Sequence, residues 1–140
     1  MAQAVDVALG TIRTQIDGLP TPSDADFTAR VTPLLADLRK LELVAANAAR
    51  TAKGAPDVAL VLSAVRRAYR DLMLRAARSS RATFGQQLFA VRHRAELSIE
   101  EAAKAAGVSV NTIKAAEADA RTSSEASAAV TALFASLSQR

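Results

Sequence analysis

The sequence predicts an all-α protein, with an N-terminal antiparallel helical bundle over residues 1–80 and four further helices over residues 81–140. Three observations lead there. Aromatic residues make up only 4% of the 140-residue chain, and alanine is abundant, which favours closely packed helices over a sheet of β-branched and aromatic residues. Apolar residues in the first half recur at alternating steps of four and three, the mark of a helical stripe. In the second half, serine or threonine repeatedly stands three residues before glutamate or glutamine, a spacing that marks helix starts.

The first stripe is Val5, Leu9, Ile12, Ile16 and Leu19, on a helix expected to end near Gly18. After the segment Leu19–Pro22, Ser23 and Asp26 are expected to cap a second helix, and Phe27, Val31, Leu34, Leu38, Leu41 and Ala45 continue the spacing. Pro33 interrupts this run. It either opens a separate helix at the first helical position or kinks a continuous one, and the sequence leaves both open. Gly54 and Pro56 break the chain again, and Asp57 favours the next helix start through its charge. Val58, Leu62, Val65, Tyr69, Leu72 and Ala76 form the third stripe. Such seams pack within one chain or between two, so a homodimer is expected without the spacing distinguishing the cases.

Arginines crowd the end of this third segment. Arg66, Arg67, Arg70, Arg75, Arg78 and Arg81 are accompanied by Asp71 as the sole acid. At about 100° per residue, all except Arg75 turn broadly away from Val65 and should face solvent. Arg66, Arg67, Arg70, Arg78 and Arg81 are therefore expected phosphate contacts; the structural alternative is a solvated face whose last arginines complement the helix dipole. The segment Ser79–Ala82 marks the domain boundary.

Beyond it, Thr83 and Gln86 are expected to cap a helix bearing Phe84, Leu88 and Val91, and Thr122 and Glu125 to cap one bearing Val130, Leu133, Phe134 and Leu137. Between them, Ser98 and Glu101 form a capping box for a helix from about Ile99 to Ala106. Gly107 stops that helix, since glycine takes the left-handed conformation without a Cβ penalty. Ser109 caps the next, from Val110 to about Ala118. Leu97, Val108 and Ile113 anchor the pair, and Ala102, Ala103, Ala106 and Ala116 let it cross closely.

This is the helix-turn-helix pattern. The spacing A-x-x-x-G-V-S-x-x-x-I from Ala103 to Ile113, followed by Glu117, resembles the lambda-repressor/Cro-like, or XRE-type, DNA-binding family, over the stretch from Phe84 to Leu137. The resemblance implies that the helix at residues 110–118 lies in the major groove of double-stranded DNA. Base contacts would come from Val110, Asn111, Lys114 and Ala115: an amide can pair with adenine, a lysine with guanine, and an apolar side chain with a thymine methyl. Thr112 and Arg92 would contact phosphate. The chain departs from the family where Ile99 replaces a frequent glutamine and where Gln87 and Phe89 replace arginines. Phe89 is expected to be exposed and to meet the N-terminal half or a partner subunit.

Net charge is +4. Residues 1–82 hold twelve Lys/Arg against eight Asp/Glu, and residues 83–140 hold six of each, so the charge lies outside the expected reading head. Without cysteine, disulfides, thiolate metal sites and cysteine nucleophiles are excluded. No apolar run approaches the roughly eighteen residues of a membrane span, and Asp6 stands where a signal peptide would be basic, so a cytoplasmic protein is expected. His93, the one histidine, lies in a charged segment without a second ligand or nucleophile spaced around it. Glu100 and Glu101 point about 100° apart. No catalytic residue, metal or cofactor is expected.

The function expected is that of a transcriptional regulator, repressor or activator, acting by occupancy of duplex DNA. The alternatives are a protein-interaction module, antitoxin-like or adaptor, with a degenerate helix-turn-helix, and a sequence-independent DNA binder working through the arginine stripe.

Overall fold

Seven α-helices and no strand occur among residues 1–139, which are those described in this computed structural model. Contacts divide the chain into two compact units, Met1–Ser80 and Arg81–Arg140.

In the first unit α1 (Ala2–Asp17), α2 (Phe27–Thr51) and α3 (Pro56–Ala76) all pack against one another. Val5, Leu9 and Ile12 of α1, Phe27, Val31, Leu34 and Leu38 of α2, and Val58, Val65 and Leu72 of α3 are buried, as the stripes require, with Leu35 and Met73 widening them. Arg39 Nε donates to the Tyr69 hydroxyl at 3.0 Å, and Arg66 Nε donates to Glu42 Oε1 at 3.0 Å. Ascending positions on α2 thus meet descending positions on α3, so these two helices are antiparallel. The loop between α1 and α2 is tied down by Arg30 donating to the Gly18 carbonyl and Arg75 donating to the Pro20 carbonyl, both at 3.2 Å.

Two local expectations are corrected or resolved here. Neither Ser23 nor Asp26 caps α2. Asp26 occupies the N-cap position with helical dihedrals (φ −87°, ψ −7°), whereas a capping side chain needs an extended backbone to reach back to the first turn. Asp24 instead accepts from the Asp26 N–H at 2.8 Å, and the Ser23 hydroxyl pairs with that of Thr21 at 3.0 Å. Pro33 lies inside one continuous α2. Its ring is on the exposed face, as is Ala29, whose carbonyl loses its usual donor and can be hydrated, while Val31, Leu34 and Leu35 stay buried in register. Pro56 takes the first position of α3, where its missing N–H has no partner to lose.

The second unit contains α4 (Phe84–Arg94), α5 (Ile99–Ala106), α6 (Val110–Glu117) and α7 (Ser124–Ser138). Leu88 and Val91, Ala102 and Ala103, Ile113 and Ala116, and Val130, Leu133 and Leu137 form its core. The capping box of Thr83 and Gln86 starts α4, and that of Ser98 and Glu101 starts α5. The expected Thr122 cap of α7 is displaced by one residue. Ser123 accepts the Ala126 N–H at 3.1 Å, which puts Glu125 at the second helical position, favourable to the dipole but out of reach of a capping box. Among the described residues, no helix is long and apolar enough to cross a membrane.

Candidate nucleic-acid interface

Gly107 leaves α5 in the left-handed region (φ 72°), and its neighbour Val108 donates back to the Ala103 carbonyl at 3.0 Å. That exit reverses the chain within a few residues and delivers Ser109 to the N-cap of α6, where its side chain accepts the Thr112 N–H at 3.1 Å. Ala102 is fully buried and Ala103 nearly so, and larger side chains there would hold α5 and α6 apart. The buried Ile113 faces the core and fixes the rotation of α6.

That rotation sorts the expected base contacts. Asn111 and Lys114, three residues apart and therefore on one face, are exposed. Val110 and Ala115 are half-buried, and Val110 packs on the core, so less of either side chain is presented. Thr112 is half-buried and shares a 2.9 Å hydrogen bond with the Ser109 hydroxyl. Ile99, at the start of α5, packs on the core as well.

Arg92 is a correction. Its Nε donates to Glu117 Oε2 at 2.6 Å, one terminal nitrogen donates to Glu117 Oε1 and the other to the Leu97 carbonyl, each at 3.0 Å. The two side chains are 12% and 4% exposed. A guanidinium so engaged holds α4 to the end of α6 and leaves little of its charge for a phosphate. Phe89 is a second correction: it is 7% exposed, with its ring stacked parallel to His93 at 6.3 Å between centroids and the Arg92 guanidinium 5.0 Å from its centre.

The same corner holds residues that the sequence reading passed over. Gly85 N donates to Asp119 Oδ1 at 2.8 Å, which satisfies an orphan donor at the start of α4 from a residue in the left-handed conformation (φ 58°). A Cβ on Gly85 would lie 2.6 Å from the Glu117 carbonyl oxygen and 2.7 Å from that of Ala116. A glycine directly inside a capped helix start was the available signal of such a close approach.

Arg66, Arg67, Arg70 and Arg78 of the first unit and Arg81 at the start of the second are exposed, while Arg75 is half-buried with its guanidinium 5.6 Å from the centre of the Phe27 ring. Arg66 pairs with Glu42 and Arg70 with Asp71, each at 3.0 Å on the surface. Such exposed pairs are weak enough for a phosphate to displace.

The model of the MSMEG_6518_N family, described as an N-terminal domain, matches residues 3–83. The chain belongs to that family. The match contains all five exposed arginines and ends just before α4. An uncharacterized protein of Mycolicibacterium smegmatis (strain ATCC 700084 / mc(2)155) is 40% identical over 122 residues, covering 87% of this chain and 95% of the relative. Neither unit alone is that long, so the likeness extends through both. No solved structure matches.

Proposed function

We propose that the protein is a DNA-binding transcriptional regulator that reads duplex DNA with α6 and acts by occupancy, without catalysis or cofactor. The observation that carries this reading is the pairing of Asn111 and Lys114, exposed on one face of a serine-capped helix that a left-handed glycine connects to α5. In this reading the second unit is a Cro-like, XRE-type helix-turn-helix domain and the first is a bundle that pairs two copies. Asn111 takes an adenine edge and Lys114 a guanine or phosphate. Val110 and Ala115 make smaller apolar contacts, and Thr112 contacts a phosphate. Arg92 supports the fold from within. A homodimer working in the cytoplasm completes the proposal, because two weak half-sites gain effective concentration when linked.

A second reading is supported by the five exposed arginines and by the neutral balance of residues 83–140. Phosphate neutralisation supplies most sequence-independent DNA affinity, and this chain carries its excess charge on residues 1–82. Fluorescence anisotropy against the gene's own upstream DNA and a scrambled duplex, over a salt series, separates the two. Preference for the native duplex that is lost in Asn111→Ala and Lys114→Ala supports the first. Equal binding to both duplexes with a steep salt slope supports the second. Absence of binding to either overturns both and favours a protein partner.

A further inference from the structure

We propose that a cleft between the end of α1 and the C-terminal half of α3 binds a small organic anion, a carboxylate or phosphate ester with a short apolar body. The cleft measures about 320 Å³, which is the scale of a small-ligand site. Arg13 and Asp17 of α1 and Arg67, Asp71 and Arg75 of α3 line it, with Leu72 and Ile16 as its apolar wall.

The charges around the cleft do not cancel. Asp71 is engaged by Arg70, which is not among the lining residues, through Nε at 3.1 Å and a terminal nitrogen at 3.0 Å. Arg75 is held in place by the Pro20 carbonyl at 3.2 Å and by the Phe27 ring. Arg13, Arg67 and Asp17 are exposed and, among the described residues, have no ion pair or hydrogen bond, although Arg13 and Asp17 stand four apart on one helix. Three guanidinium groups therefore surround a small concave space against two carboxylates, of which Asp71 shares one oxygen with Arg70 outside the cleft. An anion in that space would meet an excess of positive charge, and planar guanidinium forks match carboxylate and phosphate oxygens. The wall of Leu72 and Ile16 favours a ligand with an apolar body over a bare inorganic ion. The site does not depend on the DNA reading.

The test is amide NMR titration of the full chain with phenyl phosphate, benzoate and inorganic phosphate, in the absence of DNA. Saturable shifts centred on residues 13–17 and 67–75 are expected with phenyl phosphate or benzoate, and the tighter of these two identifies the headgroup. Arg13→Ala and Arg67→Ala, both at exposed positions, are each expected to weaken binding by about tenfold, as loss of a charge-assisted hydrogen bond does. Asp17→Asn is expected to strengthen it, since it removes the lining carboxylate that no arginine engages. Absence of saturation with all three probes overturns the proposal. Unchanged affinity in an Arg13→Ala, Arg67→Ala double variant with the parent's helical circular dichroism overturns it too, and inorganic phosphate binding as tightly as phenyl phosphate overturns the assignment to an organic anion.

Discussion

Arg92 and Glu117 form a two-pronged ion pair in the core of the second unit, 25 positions apart in the chain. Both oxygens of Glu117 are engaged, and the remaining terminal nitrogen of Arg92 holds the Leu97 carbonyl. The pair sits at the end of α6, where a carboxylate faces the negative end of the helix dipole, an opposition that the Arg92 guanidinium offsets.

Removing one member breaks the two-pronged pair. Arg92→Met or Glu117→Leu is expected to cost about 3–5 kcal/mol, since each removes one partner of a largely buried ion pair. An Arg92→Met, Glu117→Leu double variant is expected to cost far less than the sum of the singles. Urea denaturation of the four proteins in a double-mutant cycle measures this, and additive losses would show that the two side chains act independently.

Gly85→Ala is expected to destabilise the second unit by about 1–3 kcal/mol, because the new Cβ meets backbone oxygens that no rotamer change can move. The effect should appear in the unfolding of α4 and α6, read by hydrogen exchange, with the protection of α1 to α3 unchanged. A neutral outcome would mean that α4 and α6 are free to separate.

Pro33→Ala is expected to stabilise the first unit by about 1–3 kcal/mol. It restores the donor to the Ala29 carbonyl and removes the low helix propensity of proline, partly offset by a more flexible unfolded chain. Thermal unfolding monitored by circular dichroism should register a higher midpoint. A lower one would indicate that the proline shapes a bend on which the packing of Val31 and Leu34 depends.

The Glu101 carboxyl is held below its ordinary value, first by the Ser98 backbone N–H that it accepts and then by the Ser98 hydroxyl. A carboxylate whose folded pKa is depressed contributes stability that is present above its unfolded pKa and lost as pH falls through the folded one. The start of α5 should therefore loosen on acidification below the usual glutamate range. Glu101→Gln keeps an acceptor at the cap without a titrating proton, so amide exchange at residues 98–101 should become insensitive to pH-linked opening in that variant.

In the proposed reading, in which α6 enters the major groove, specific DNA binding is expected to weaken by about five- to a hundredfold in Asn111→Ala, the range of one good base contact. Neutralising Arg66, Arg67 and Arg70 together should instead reduce the slope of log affinity against log salt by about three and affect all duplexes alike. A salt slope unchanged by that triple substitution would remove the arginine stripe from any phosphate contact.

What was legible in the sequence was local. The limits of α5, the left-handed Gly107, the capping boxes at Thr83 and Ser98 and the cap at Ser109 all follow from residues within one turn of each other. The apolar stripes of α1 to α3 were legible too, since a period of 3.6 determines which face is buried whatever covers it. Where capping residues stood close together, as at Thr122 and Ser123 or at Ser23, Asp24 and Asp26, composition did not tell which of them caps, or that none does at α2, because capping depends on which residue has the extended backbone.

By itself the sequence determined that the chain is helical, which faces are apolar and where most helices begin and end, because those properties rest on short-range hydrogen bonding and periodicity. Only the tertiary structure decided that Arg92 belongs to Glu117, that Gly85 and Asp119 join α4 to the end of α6, that Phe89 is buried and that Asn111 and Lys114 are the exposed pair. It also gathered Arg13, Arg67 and Arg75 around one cleft. Each of these depends on partners more than two dozen residues away or on the rotation of a helix against its neighbours, and neither is encoded in any local pattern.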